Sequence, residues 1–276
     1  MFRKELLSII RASPSDDEGL ALVEGTEEDG WVLHGTVRSP GGGETFTIRG
    51  GYLDLLKRRS GADNIGNLTN FLPGAGRGYE PLWRVRSLTL LTGEPFPNER
   101  ELEIIAELAR VKRGGRYLDL GCSAGLYTRG IAGDLGNGGD VIGIDISPSM
   151  LGEAARRIRK SRAGRASLAR ADAENLPFAD RSFSGAVCGG SLNEFGDPGR
   201  VLRETRRVLE PGGRLAIMGI LRATTPNGRR LQRFLSTGGI KFFAPDEIQS
   251  ILTHAGFDPD PLQVYGSVFF AGATHR

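Results

Sequence analysis

The chain has 276 residues, enough for one large domain and a small one. Apolar residues at 39% and charged residues at 25% are ordinary for a folded globular protein, and no run nears the ~20 apolar residues that a membrane helix needs. A net charge of +3 admits an anionic substrate without demanding nucleic acid, while two cysteines, Cys122 and Cys188, exclude a disulfide framework and suit a reducing compartment.

Residues 1–60 read as a small β module with a thin core. Short strand-like pieces, Leu20 to Val23, Trp31 to Leu33 and Thr45 to Ile48, alternate there with polar and glycine-rich turns. The first residues, Met1-Phe2-Arg3-Lys4-Glu5-Leu6-Leu7, lack the uninterrupted apolar core of a signal peptide, so the expected location is the cytoplasm. Residues 61–97 are expected to be a linker and a cleft-covering helix, the helix at Tyr79 to Leu91.

From Asn98, expected to cap a helix, strand and helix alternate to the end of the chain. Strands are predicted at 117–120, 141–145, 167–169, 184–188, 214–220 and 264–271. The intervening helices are predicted at about 124–134, from Pro148, from Asp197-Pro198 and at Pro245 to Ala255. This alternation predicts an α/β fold over 98–276, a doubly wound and mostly parallel sheet.

The most informative stretch is Tyr117-Leu118-Asp119-Leu120-Gly121-Cys122-Ser123-Ala124-Gly125. An apolar strand breaks there into a glycine-bracketed turn, and the next apolar run, Val141-Ile142-Gly143-Ile144-Asp145, ends in a carboxylate. Two neighbouring strand ends of this kind frame a nucleoside-like ligand: the first glycine permits a tight turn, and the acid accepts both ribose hydroxyls. Gly121-Cys122-Ser123-Ala124-Gly125 also fits Gly-x-Ser-x-Gly, which would make Ser123 a hydrolase nucleophile. No His-Gly-Gly-Gly loop precedes it, and an elbow leaves Asp145 unexplained. A dinucleotide site requires glycine where Ser123 stands.

Asp119-Leu120-Gly121-Cys122-Ser123-Ala124-Gly125 resembles motif I of the class I S-adenosylmethionine-dependent methyltransferases. Asp145 matches that family's acid at the end of the second strand, and Asp172-Ala173-Glu174-Asn175-Leu176-Pro177-Phe178 resembles its third signature. Arg207-Val208-Leu209-Glu210-Pro211-Gly212-Gly213 resembles a further element, and all four stand in the family's order. The resemblance covers residues 98–276 and implies a Rossmann-like, seven-stranded sheet.

It also implies S-adenosylmethionine as donor, leaving S-adenosylhomocysteine. Asp119 would then orient the ammonium, Gly121 and its neighbours Cys122, Ser123 and Gly125 meet the methionine part, and Asp145 hold the ribose. Ile146 and Met150 follow the ribose acid, Asp172 and Ala173 face the adenine amino group, and Cys188 and Gly189 line the methyl-donor end. Neither cysteine has the context of a nucleophile. The three histidines, His34, His254 and His275, are far apart, and no metal site is expected.

Gly43 to Leu55 resembles the end of a zinc-ribbon-like module that precedes some methyltransferases. Here Ala12-Ser13-Pro14-Ser15 replaces the paired cysteines, so the module reads as a degenerate version without zinc.

The expected reaction is methyl transfer to a small-molecule acceptor such as a lipid, quinone or secondary metabolite. Methylation of ribosomal or transfer RNA and non-catalytic binding of the donor are the alternatives. Asn193 would orient the acceptor and Glu194 accept a proton. Tyr79, Trp83, Tyr127 and Phe242 are candidate walls of the substrate pocket. Basic clusters at Arg156 to Arg165 and Arg229 to Arg233 leave nucleic acid open as a partner.

Overall fold

The apolar runs of the second half of the chain have no solvent face, the mark of parallel strands covered by helices on both sides. The structure, a computed structural model, describes residues 1–13, 16–41, 43–56, 85–136, 138–161 and 163–276. Its N-terminal elements are β1 (Phe2–Arg3), a 3-10 turn (Lys4–Ile9), β2 (Ala21–Glu28), β3 (Trp31–Arg38), β4 (Thr45–Arg49) and β5 (Tyr52–Asp54). Next come α1 (Val85–Thr92), α2 (Asn98–Leu108), β6 (Arg116–Leu120), α3 (Leu126–Leu135), β7 (Asp140–Asp145), α4 (Pro148–Ser161) and β8 (Ala166–Arg170). The remainder is β9 (Phe183–Gly189), a 3-10 turn (Ser191–Asn193), α5 (Pro198–Val208), β10 (Leu209–Ile220) and α6 (Pro226–Ser236). It ends with α7 (Pro245–His254), β11 (Phe257–Pro259), β12 (Gln263–Tyr265) and β13 (Val268–His275).

The strands form one sheet in the order β1-β3-β4-β5-β8-β7-β6-β9-β10-β13-β11, with β2 on β3 and β12 on β13. Within it, β8-β7-β6-β9-β10 are parallel, and β13 runs antiparallel to β10. The seven strands from β8 to β11 are the doubly wound sheet that the sequence predicts. The chain winds outward from β6 through β7 to β8, then returns to lay β9 on the other side of β6. That reversal opens a crevice at the carboxyl ends of β6 and β9, where open α/β sheets bind ligands.

Successive side chains of β6 serve opposite layers, because a strand alternates faces every residue. Leu118 and Leu120 join one core with Val201, Leu202, Ile248 and Leu252 of α5 and α7. Tyr117 joins the other with Ile105, Ile131, Leu151 and Ile158 of α2, α3 and α4.

The N-terminal strands continue this sheet. Strand β5 pairs parallel with β8, Leu53 opposite Ala169 and Asp54 opposite Arg170. Phe2, Leu6, Ile10, Val37, Phe46, Ile48 and Leu53 share the core of β6 and α5. Gly51, at a left-handed φ of 97°, lets the β4–β5 turn press onto α4, since a Cβ there would lie 2.6 Å from that of Ala155. Arg170, buried on β8, pairs with Asp54 at 3.3 Å and donates from Nε to the carbonyl of Ile146 at 3.0 Å.

Several boundaries differ from the sequence reading. Pro97, not Asn98, occupies the cap of α2, and no side chain caps it; Asn98 is already helical with a buried, unpaired Oδ1. The single strand expected at 264–271 is a hairpin, β12 and β13, because Gly266 turns at φ 56°. Helix α6 was not anticipated: Pro226-Asn227-Gly228 has turn composition, yet Thr225 Oγ1 accepts from the Gly228 amide at 3.2 Å and starts a helix. Of the helix expected at 79–91, residues 79–84 lie outside the described residues, as does most of the expected linker.

Phe178 joins the N-terminal segment to the main core. It is buried, forms a bridge with Ile10 and meets Phe183 edge-on at 5.0 Å. Replacing Phe178 by Ala is expected to cost about 3–5 kcal/mol, measured by urea unfolding, with the N-terminal strands losing amide protection first.

Candidate functional site

The turn after β6 is built from three left-handed residues, Gly121 (φ 64°), Ser123 (φ 49°) and Gly125 (φ 76°). Glycine is required at 121 for space as well as conformation: a Cβ would lie 2.4 Å from Ser191 Oγ. Ser191 itself donates to the Gly121 carbonyl at 3.0 Å and so ties the ends of β9 and β6 together. Gly125 caps α3, whose first amides open toward the turn as any helix N-terminus does. Ser123 adopts a conformation uncommon for a residue with a Cβ, and its amide donates to Asp145 Oδ2 at 2.9 Å.

Asp145 is therefore anchored from two sides, since Ser147 donates its amide to Oδ1 at 2.8 Å. Burial raises its pKa, opposed by the backbone bonds from Ser147, Ser123 and Ile146. Each carboxylate oxygen keeps a second lone pair, enough for two neighbouring hydroxyls. Ile146 follows with its carbonyl held by Arg170. Met150 is buried on α4, its sulfur 3.6 Å from Ser123 Oγ.

Asp172 is exposed beyond the end of β8; its Oδ1 accepts the Glu174 amide at 2.8 Å, which fixes the carboxyl and leaves Oδ2. Ala173 beside it is buried. Asp119 is 1% exposed, and Oδ2 accepts from Thr128 Oγ1 at 2.6 Å, so it braces the turn from within the fold.

Cys188 and Gly189 close the other wall. A Cβ on Gly189 would sit 2.7 Å from the ring of Tyr127, so the ring lies directly against the strand backbone. Tyr127 is buried, with its hydroxyl donating to Glu101 at 2.5 Å. It is thus core rather than the open pocket wall of the sequence reading. Cys122 and Cys188 are buried too; burial lifts the Cys122 thiol well above its usual value and pushes Cys188 up to about 12. Neither supplies a thiolate.

The two candidate catalytic residues part company. Asn193 is buried, with Nδ2 donating to the carbonyls of Ile220 (2.9 Å) and Lys241 (2.6 Å). Its Oδ1 accepts the Ile220 amide at 2.9 Å. Both donors of the amide are spent on joining β9, β10 and the loop at 241, which leaves none for an acceptor. Glu194 is half-buried, and no hydrogen bond to its carboxyl is found among the described residues. Burial first, and the charge of Asp145 second, raise its pKa to about 7.

Phe242 is half-buried beside that loop, and Tyr79 and Trp83 lie outside the described residues. Sequence reasoning missed Thr128, Ser147, Ser191 and Phe195, the last half-buried with its ring edge 3.6 Å from the Cβ position of Gly121. Serine and threonine shortly beyond a strand end were the available signal; Ser147 and Thr128 serve the acid of the strand before them, and Ser191 alone reaches across to another strand's turn.

Residues 118–217 match the profile of a methyltransferase domain. Over these residues the chain is similar to methyltransferase domains. Among curated relatives, a demethylmenaquinone methyltransferase of Lactobacillus johnsonii is 36% identical over 118 residues, 42% of this chain and 48% of that protein. An arsenite methyltransferase of Halobacterium salinarum is 31% identical over 152 residues, 54% of this chain and 39% of that protein. The chain thus spans about half or less of the length of these relatives. The fold is shared with a SAM-dependent methyltransferase from Aquifex aeolicus, at a TM-score of 0.56 and 21% identity over 70% of this chain and 97% of that one. It is shared also with a phosphoethanolamine N-methyltransferase of Haemonchus contortus, solved with S-adenosylhomocysteine, at a TM-score of 0.57 and 18% identity over 72% and 58%.

The crevice fits S-adenosylmethionine on two observations. Asp145 presents a carboxylate already organised by backbone amides, and the turn at Gly121 has no side chain to obstruct a ligand. Replacing Asp145 by Ala removes two charge-assisted bonds and is expected to weaken S-adenosylhomocysteine binding about 100-fold by calorimetry. Unchanged affinity removes Asp145 from the ribose site.

Proposed function

We propose that the protein transfers a methyl group from S-adenosylmethionine to a small-molecule acceptor, with Glu194 receiving the acceptor's proton and residues 98–276 as the catalytic unit. One observation carries the choice of base. Glu194 is a half-buried carboxyl at the end of β9, without a hydrogen-bond partner among the described residues, and titrates at about 7. A base with its pKa near working pH balances availability against proton affinity. Asp145 lies near enough for its charge to raise the Glu194 carboxyl further, which supports a shared crevice.

When bound, S-adenosylmethionine supplies a methyl group on a cationic sulfur. Asp145 accepts from the ribose, and Asp172 Oδ2 is the acceptor offered to an adenine amino group. The backbone of Gly121 and Gly189 forms the floor at the methionine end, held at its width by Ser191. Asn193 supports this wall as a positioning residue, keeping the Glu194 backbone fixed to β10. Alignment of the acceptor's lone pair with the transferred carbon is the main demand on the protein, and a fixed wall meets it. Phe195 and Phe242 are the aromatic groups proposed for the acceptor side.

Two observations support a small acceptor over RNA. The named relatives methylate demethylmenaquinone and arsenite, both small. Two of the four basic residues of α4 are also engaged: Glu153 binds Arg156 at 2.5 Å and Arg157 at 2.7 Å, and Arg156 holds Glu153 down to about 2. Arg165 lies 3.7 Å from Asp140. Arginines already held by a carboxylate have less to offer phosphates.

Because the Glu194 pKa is raised, the residue is protonated below about 7 and becomes a base only as pH climbs past that value. Single-turnover rates are expected to rise with pH through about 7 and then level. Glu194→Gln is expected to flatten that limb and slow transfer about 100-fold or more, with donor affinity kept. A Glu194→Gln enzyme with the same rate and the same pH profile removes the residue from the reaction.

A further inference from the structure

Helix α6 has no buried residue, although it carries Leu231, Phe234 and Leu235. Leu231 is 59% exposed and Phe234 73% exposed, three positions apart on one side of the helix. Arg229, Arg230 and Arg233 flank them, in a helix with no acidic residue, Pro226-Asn227-Gly228-Arg229-Arg230-Leu231-Gln232-Arg233-Phe234-Leu235-Ser236. No ion pair occupies these arginines among the described residues; Arg229 reaches only the Thr224 carbonyl, at 2.8 Å.

The orientation of the helix is fixed from its inner side. Gln232 donates to the Leu221 carbonyl at 2.9 Å and accepts the Ala223 amide at 2.7 Å, so the helix is pinned to the end of β10. On a helical wheel Arg230 and Phe234 then point away from the body, with Leu231 at their side.

This end of β10 is the crevice end. Met218 of β10 pairs with Gly189 of β9, and the chain reaches Leu221 three residues later. Leu221 donates to the Ser267 carbonyl and Ser267 to the Leu91 carbonyl, both at 2.8 Å. That relay brings α1 to the same rim, where Leu90 is 83% exposed. Three of the most exposed large apolar side chains thus surround the end of the molecule that opens to the acceptor.

We propose that α6 is an interfacial anchor that seats this rim on an anionic lipid surface. Aliphatic and aromatic groups beside arginines, on a helix lying flat against the body, have the composition of a segment that enters the headgroup layer. Uncompensated positive charge selects the anionic surface. RNA would reward the arginines but not Leu90 and Leu231, which have no base to stack on. The inference rests on the small-molecule reading in one respect, that an acceptor drawn from a bilayer is an amphiphile.

Sedimentation of the 276-residue chain with sucrose-loaded vesicles tests this without any enzymatic readout. Vesicles of phosphatidylcholine with about one-third phosphatidylglycerol are expected to bind the protein about tenfold more strongly than phosphatidylcholine alone. L231S/F234S is expected to lower that binding about tenfold, and R229Q/R230Q/R233Q to reduce it to the neutral-vesicle level. None of the substituted side chains is buried, so circular dichroism and the thermal midpoint should match the parent. The proposal is overturned if the parent protein does not sediment with anionic vesicles, or if L231S/F234S binds them as the parent does. Arginine-dependent binding of polyuridylate with no vesicle binding overturns it as well, in favour of nucleic acid. Vesicle binding without methyl transfer, by contrast, upholds the anchor and removes the proposed reaction.

Discussion

The hydrogen bond from the Ser123 amide to Asp145 joins the loops of two adjacent strands, and the crevice depends on it. It holds a non-glycine residue in the left-handed region, which the loop after β6 needs in order to curl back before α3. It also fixes one oxygen of the carboxylate, while Ser147 fixes the other. The ligand-facing groups are consequently set before a ligand arrives. Ser191 does the corresponding work on the far side, holding β9 to the carbonyl of Gly121. A site made this way loses little freedom on binding, which is the basis of preorganised recognition.

The sequence made the central sheet legible because its strands are largely apolar and separated by helices of plain amphipathic pattern. Gly121, Asp145 and Asp172 could be placed at strand ends for the same reason, each standing where an apolar run stops, with Asp119 one residue inside the end of its own. What could not be read was how side chains pair across strands. Asn193 has the composition of a ligand-orienting residue, and only the fold shows that Ile220 and Lys241 take its amide. Tyr127 likewise has the size of a pocket wall, whereas Gly189 lets it pack as core. Helix α6 stayed hidden because its anchoring group, Gln232, acts on the backbone of another element instead of contributing to an apolar stripe.

The N-terminal strands bear on the site through a short path. Asp54 pairs with Arg170, and Arg170 holds the carbonyl of Ile146, next to Asp145. A charged residue as buried as Arg170 is tolerable only when paired and hydrogen-bonded, and Asp54 meets that need from outside the doubly wound sheet. The same pairing covers the edge of β8, which would otherwise leave its ladder groups unmatched. Two problems of the nucleotide-binding architecture, an open sheet edge and a buried cation, are met by one added strand.

The pairing of β5 with β8 also has a temporal side. Asp54 and Arg170 stand 116 positions apart in the chain. During synthesis β5 leaves the ribosome long before its neighbour exists, and β1 too waits for β8, whose Ser167 hydroxyl accepts the Arg3 amide. The β3–β4 hairpin can close on its own, but the core shared by those strands and Ile10 stays incomplete until Phe178 is made. Assembly of the N-terminal strands is therefore governed by the slow, long-range closure that limits high-contact-order folds, and these strands, translated well before β8, are among the last to become native.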